Sequence, residues 1–231
     1  MADTAGGIVK SNTGKKRDAN RSKSSILHAA ITEFAARGLA GTRVDEVAAR
    51  AGVNKSLIYQ YFGSKQELYA EALNAVLQAI TEKSAEHSRT FVQGAASGEV
   101  HATARAFLNK HLTLLEAIPE YPRLLAWENL GGGRTLARLP LQQTYAVFLK
   151  RIESMLQPLV DRQMLAPGFD LRHAAQAVIA LTHYFIIYRG VIEHLFQQNP
   201  FAPTTRDAWL DYCTNMLVAS LQPGMPDARK T

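Results

Sequence analysis

Beyond residue 20 the apolar side chains recur at spacings of three and four almost to the end of the chain, and no segment shows the sustained alternation of a half-buried strand. This periodicity restricts the chain to an all-α fold. Glycine and proline punctuate it. Gly38, Gly52 and Gly63 close three successive segments, and Gly94 to Gly98 (Gly-Ala-Ala-Ser-Gly) breaks a longer one. Pro119, Gly131-Gly132-Gly133, Pro167-Gly168 and Asn199-Pro200 separate the rest. Helices are predicted over about 21–37, 42–51, 55–62, 65–92, 100–117, 120–130, 141–165, 170–196 and 204–222.

Residues 1–20 are rich in Gly, Ser, Thr, Asn and Lys and carry no apolar period, so they are expected to form a disordered basic arm with Lys10, Lys15, Lys16 and Arg17. The charge is unevenly placed. Residues 1–64 hold ten Lys/Arg against five Asp/Glu, a net +5 out of the formal +6 of all 231 residues. A localised basic excess is the electrostatic footprint of a polyanion partner, although a solvated tail has the same composition.

The first helix carries Ile26, Ala30 and Phe34 on one face and stops at Gly38. Thr42 opens the second, with Asp45 three residues on as a capping-box variant and Val44, Val47, Ala48 and Ala51 facing inward. Asn54 is a good N-cap for Lys55–Phe62, where Ile58 and Phe62 stack at i, i+4. Ser64-Lys65-Gln66-Glu67 is a capping box for the fourth helix. Three short helices with a glycine turn between the second and third make a helix-turn-helix, in which one helix enters the major groove while its partner braces it. Ala48, Ala49, Ala51 and Gly52 suit the close crossing. A three-helix bundle without DNA binding would share this outline. Lys65 adds an independent pointer. A lysine in the first turn of a helix is locally unfavourable unless lysine and helix N-terminus together hold an anion such as a backbone phosphate. Thr42 and Arg43 form a comparable phosphate-facing corner.

The run Gly41-Thr42-Arg43-Val44-Asp45-Glu46-Val47-Ala48, then Ala51-Gly52-Val53-Asn54-Lys55-Ser56-Leu57-Ile58-Tyr59-Gln60-Tyr61-Phe62-Gly63-Ser64-Lys65-Gln66-Glu67-Leu68, closely resembles the signature of the tetracycline-repressor (TetR) family. The match covers about residues 21–70; the rest resembles the family only in length and helical content. The resemblance implies a helix-turn-helix domain over 21–68 and a larger helical effector-binding and dimerisation domain over 69–231. It implies that Lys55–Phe62 is the recognition helix, with Lys55, Ser56 and Gln60 facing base edges. Lys55 can donate to guanine, Gln60 can pair bidentately with adenine, and Leu57 can meet a thymine methyl or simply pack. Tyr59 and Tyr61 match the family's phosphate-touching aromatics. The family often has histidine at the position of Tyr61, where a phenol can donate the same bond.

In the C-terminal part, Val178, Leu181, Phe185, Tyr188, Ile192 and Leu195 recur at helical spacing, with Ile179, Ile186 and Ile187 opposite. A helix apolar nearly all round must be covered on both sides. Leu210, Cys213, Leu217 and Leu221 form a second stripe. Two such helices can pack against their symmetry mates, and the resemblance implies that they do, so the expected homodimer interface is Val178, Leu181, Phe185, Tyr188, Leu210, Cys213 and Leu217. Dimers also make physical sense, since one short recognition helix reads too few base pairs. If the resemblance extends inward, a pocket for an unidentified small-molecule effector is expected among Phe107, His111, Trp127, Tyr145, Phe148, His183 and Tyr184.

Other classes find little support. The sequence has no Gly-x-Ser-x-Gly, His-Glu-x-x-His, P-loop or dinucleotide fingerprint, so no enzyme, catalytic residue or cofactor is expected. The seven histidines show no i, i+3 or i, i+4 pairing, and the single cysteine excludes a Cys-pair zinc site. Met1–Ser25 has no apolar core of a secretory leader, and the run Ala174–Ile187 falls short of the roughly 20 residues a membrane span needs. A cytoplasmic, ligand-responsive repressor binding a near-palindromic operator in double-stranded DNA is the expectation. A helical protein-binding adaptor and a transcriptional activator remain alternatives.

Overall fold

In the computed structural model, which describes residues 11–141 and 169–221 with a few isolated positions between them, every regular element is helical. The order is α1 (Ser11–Gly41), α2 (Val44–Ala51), α3 (Lys55–Phe62), α4 (Lys65–Ala96), α5 (Val100–Ala117), α6 (Glu120–Leu130), a 3-10 turn (Leu136–Arg138), α7 (Leu171–Ile187), α8 (Arg189–His194) and α9 (Pro203–Leu221). Tyr145, Phe148 and most of the helix predicted over 141–165 lie outside the described residues.

Among the boundaries that differ from the sequence expectation, three have a local cause. The first helix begins at Ser11, so residues 11–20 of the expected disordered arm are helical. Once the turns from Arg21 onward have paid for nucleation, Lys15, Lys16, Arg17 and Ala19 extend them at little cost. The cap of α2 is Arg43 rather than Thr42, because Glu46, not Asp45, reaches back to accept the Arg43 N–H at 3.3 Å. The segment predicted as one helix over 170–196 is two, α7 and α8, separated at Tyr188 (φ −96°, ψ 22°).

Helix α1 is interrupted at Gly38, whose φ of 66° and ψ of 178° lie outside any helix and in a region open essentially to glycine alone. The kink turns the chain toward α2. Gly52 (φ 66°, ψ 34°) then ends α2 in the left-handed conformation, and the Gly52 and Val53 N–H groups satisfy the last carbonyls at Ala49 and Ala48.

The described residues bury two apolar clusters. The first joins Ile26, Ala30 and Phe34 of α1 to Val44, Val47, Ile58 and Phe62 of α2 and α3, and runs on through Leu68, Tyr69 and Leu73 of α4 to Leu115, Tyr121 and Leu124 of α5 and α6. Phe34 meets Tyr69 edge-on with centroids 5.0 Å apart. The N-terminal three-helix unit is therefore continuous with the body through α4 and α6. The second cluster, Leu108, Leu112, Phe185, Ile192, Leu210 and Cys213, holds α5, α7, α8 and α9 together.

Candidate functional site

The short α3 is presented by α2. Asn54 Oδ1 accepts the Ser56 N–H at 3.1 Å and starts α3, while Ile58 and Phe62 pin its inner face. One period later the opposite face is left to solvent, carrying Ser56, Tyr59 and Gln60. Ser64 Oγ accepts the Glu67 N–H at 3.1 Å and starts α4, placing Lys65 in its first turn. Only this half of the predicted capping box forms, because the Glu67 carboxylate accepts from Arg138 at 3.0 Å instead.

An ion network fastens α2 to α1. The Glu33 carboxylate is buried, accepting from Arg37 at 2.9 Å and from Arg50 Nε at 2.6 Å, and Arg37 also donates to Glu46. Arg37 and Arg50 are half-exposed, so the carboxylate bears most of the desolvation and needs both partners. Removing it in Glu33→Ala is expected to cost about 1.5–3 kcal/mol, read as a lower denaturation midpoint without a change in slope.

The predicted DNA-facing residues separate into groups. Arg43, Ser56, Tyr59 and Gln60 are exposed, and Lys55, Leu57, Tyr61 and Lys65 are partly so. Lys55 donates to Asp45 of α2 at 2.9 Å, and this hydrogen bond raises its pKa. Both partners are solvated, so a DNA phosphate or base can displace the carboxylate at little cost. Leu57 packs against the first cluster. Thr42 departs from expectation. It is buried, and its hydroxyl lies 2.8 Å from the Gly38 carbonyl and 3.1 Å from that of Glu33. Thr42 thus ties the α1 kink to the start of α2, because the N-cap falls one residue later than the sequence suggested, and it offers no free hydroxyl to a phosphate.

The effector candidates are also redistributed. His111 of α5 and His183 of α7 come together with ring centroids 6.4 Å apart, and Tyr121 of α6 meets His183 edge-on at 5.3 Å. All three side chains are buried. Tyr121 was missed in sequence because it sits in the first turn of α6 beside Pro122, outside any long apolar stripe. Burial lowers the His183 pKa below its ordinary 6.5. The unfolded chain protonates this imidazole near that value while the folded chain resists it, so the contribution to stability is complete above pH 6.5 and declines as the pH falls below it. Thermal melts between pH 8 and pH 5 should show this decline, and His183→Phe should flatten it. Phe107 packs against the second cluster. Tyr184 stacks on Tyr188 and meets Trp209 at a tilt, each at 5.3 Å, and lines an open cleft of about 530 Å³ with Phe185, Ile192, Phe196 and Thr205.

Trp127 packs instead against α1. Its Nε1–H donates to the Ala35 carbonyl of α1 at 3.3 Å, and its ring covers Gly38 so closely that a Cβ there would stand 2.8 Å from Cδ2. The neighbouring Glu128 accepts from the Thr135 and Leu136 N–H groups at 3.0 and 3.2 Å and from the Tyr69 hydroxyl. Burial and this carboxylate raise the Tyr69 pKa. Trp127 is therefore a clasp between α6 and the N-terminal unit. Its short range in sequence from other aromatics concealed that role.

The expected dimer stripe is corrected in the same way. Phe185, Leu210 and Cys213 are buried within the chain, and Val178, Leu181 and Leu217 pack against that second cluster. Only Tyr188 of the seven is clearly exposed. Helices α7 and α9 are apolar on two faces, and the stripe chosen in sequence is the one that packs on α5. The outer face shows Ala177, Ala180 and Ile187 on α7 with Tyr212 and Met216 on α9.

Comparison with known proteins agrees with this architecture. Residues 26–72 match the family model for bacterial regulatory proteins of the tetR family, and residues 99–217 match a tetracyclin repressor-like C-terminal domain. The chain is 36% identical to the HTH-type transcriptional repressor SCO4008 of Streptomyces coelicolor over 54% of its own length and 57% of that protein's. The chain thus spans less than two thirds of this relative. It is 30% identical to the HTH-type transcriptional regulator RutR of Escherichia coli O157:H7 over 81% of this chain and 84% of that one. Among solved structures, a TetR family transcription regulator from Marinobacter aquaeolei superposes with a TM-score of 0.62 at 16% identity, covering 91% of this chain and 100% of that one. FadR from Bacillus subtilis in complex with stearoyl-CoA gives 0.55 at 16% identity, covering 87% and 100%. With an N-terminal helix-turn-helix and a helical C-terminal domain that both match, the chain belongs to the TetR family of bacterial transcriptional regulators.

Proposed function

We propose that this protein is a repressor that binds a near-palindromic operator as a homodimer through residues 21–68 and releases it when a small molecule enters the C-terminal domain, 69–231. The observation that carries the reading is the solvent-facing edge of α3, where Ser56, Tyr59 and Gln60 stand clear of the core on a helix braced by α2. Its polar groups match what base edges and phosphates require: an amide and a hydroxyl for base edges, and a phenol for the backbone. Arg43 and Lys65, at the starts of α2 and α4, flank that edge as phosphate contacts.

The second half-site needs a second copy of the chain. The outer face of α7 and α9, with Tyr212 and Met216 exposed, supports pairing there. A pair of recognition helices about 34–36 Å apart would fit successive major grooves. Release follows from a route already built into the fold. Tyr121 at one end of α6 touches His183, and Trp127 toward the other end clasps α1 beside the Gly38 kink. A ligand that shifts α6 therefore changes how the head is held, favouring a dimer whose heads no longer match the groove spacing. Among the described residues no helix is long and apolar enough to cross a membrane, and a cytoplasmic site of action accords with this.

Fluorescence anisotropy with duplexes from upstream of the protein's own gene, against a scrambled duplex at two salt concentrations, tests the reading. Tight, salt-sensitive binding to one near-palindromic site is expected. Gln60→Ala should lose about 1–3 kcal/mol of discrimination at one base pair of each half-site. Tyr61→Phe with Lys65→Ala should weaken all duplexes alike and flatten the salt dependence. Salt-independent behaviour, or equal weak binding to every duplex by the wild-type protein, would return the adaptor reading.

A further inference from the structure

His183 leaves a buried ring nitrogen, Nε2, without a hydrogen-bond partner, although the side chain is only 8% exposed. Its other nitrogen, Nδ1, lies 2.8 Å from the Ile179 carbonyl one turn back on α7. A carbonyl oxygen only accepts, so Nδ1 carries the proton. Burial disfavours the charged ring. The neutral tautomer therefore presents Nε2 as a bare lone pair, an acceptor held in place by the Nδ1 bond. Buried acceptors in native proteins are satisfied by protein, water or ligand.

The surroundings define what could satisfy it. Tyr121 meets the imidazole edge-on at 5.3 Å and His111 lies 6.4 Å away, so the ring is flanked by flat, weakly polar groups. The adjacent Thr182 hydroxyl is turned onto its own helix, 2.7 Å from the Val178 carbonyl and 3.3 Å from that of Ile179. Burial, first, and the Ile179 carbonyl are what perturb the ring among the described residues. Among the described residues, an anion would face a lone pair with no cation beside the ring to balance it, and an ammonium would meet no carboxylate there.

Resting on the reading of the C-terminal domain as an effector-binding module, we infer that Nε2 of His183 is the polar anchor of the effector site, and that the effector is a neutral, largely apolar molecule presenting an O–H or N–H donor. Alcohols, phenols, amides and ring N–H groups belong to this class; carboxylates, phosphates and amines do not. Binding energy then comes from the rings of Tyr121, His111 and their apolar neighbours, and selectivity from Nε2 of His183, since a buried acceptor rejects an isostere that lacks the donor.

The test uses the full chain with ¹⁵N-labelled histidine rings and matched probes: phenol with anisole, indole with 1-methylindole, 1-octanol with octanoate. Each donor is expected to move the His183 Nε2 resonance and to bind about tenfold more tightly than its methylated or anionic counterpart. His183→Phe is expected to abolish the preference while operator binding without probe persists. Equal binding within the pairs, a preference that survives His183→Phe, or an Nε2 resonance that no donor moves would each overturn the inference. The nitrogen resonance is read on the wild-type chain, so it decides the matter even if the variant fails to fold. Failure of the regulator reading has its own signature, loss of operator binding by the wild-type protein before any probe is added.

Discussion

Gly38→Ala is expected to lower the thermal midpoint by roughly 10 °C, equivalent to about 3 kcal/mol. Two terms contribute. The backbone at Gly38, with φ of 66° and ψ of 178°, is a conformation in which an alanine Cβ costs about 1–3 kcal/mol. The same Cβ would stand 2.8 Å from Cδ2 of Trp127 and 3.0 Å from Cε3, so the indole must retreat from α1. That retreat also breaks the Nε1–H bond to the Ala35 carbonyl. A double-mutant cycle separates the terms. Combined with Trp127→Ala, the glycine substitution loses its steric cost and keeps its backbone cost, giving a coupling of about 1–2 kcal/mol. Strict additivity of the two variants would mean that the ring does not press on the kink. Because the clasp joins α6 to the head, both single variants should also alter the operator's response to effector, whereas Glu33→Ala should change stability alone.

Tyr212→Glu with Met216→Glu is expected to convert the protein to a monomer in analytical ultracentrifugation and to weaken operator binding by about 100-fold or more. Tyr212 is 59% exposed and Met216 48%, so neither change disturbs the core of the isolated chain. A two-fold interface meets its own copy, which brings the four added carboxylates into one patch. The loss in affinity follows because two half-sites bound by one dimer become two independent, weaker events. Retention of the dimer would place the interface elsewhere. The neighbouring Cys213 gives a control. It is buried and its thiol is pushed up to about 11, so it resists maleimide as long as the fold is intact in monomer or dimer.

Legibility in the sequence followed the range of the interactions. The short helices of the head are specified by neighbours: Asn54 caps Ser56 two residues on, Ser64 caps Glu67 three residues on, and Gly52 closes α2 at carbonyls three and four residues back. Signals of this kind are complete within a few residues, so the three-helix unit and the exposed edge of α3 were readable. The extent of α1 was not, because extension from an existing helix needs only the absence of breakers and leaves no mark of its own.

The C-terminal domain reverses this. Helix α7 is apolar around most of its circumference, and periodicity marks such a helix as covered without saying which side faces its own chain. Packing on α5 took Phe185, Leu210 and Cys213 inward and left Tyr212 and Met216 outside. Trp127 was one aromatic among several until the fold brought it against Gly38, 89 residues earlier in the chain by number. His183 became distinctive only when α5 and α6 delivered His111 and Tyr121 beside it and left its Nε2 without a partner. By itself, then, the sequence determined the helical class, the reading head and its caps, since those depend on residues within one or two turns of each other. The tertiary structure alone decided the clasp, the outer face and the polar anchor, because each depends on side chains whose proximity is created by packing between distant helices.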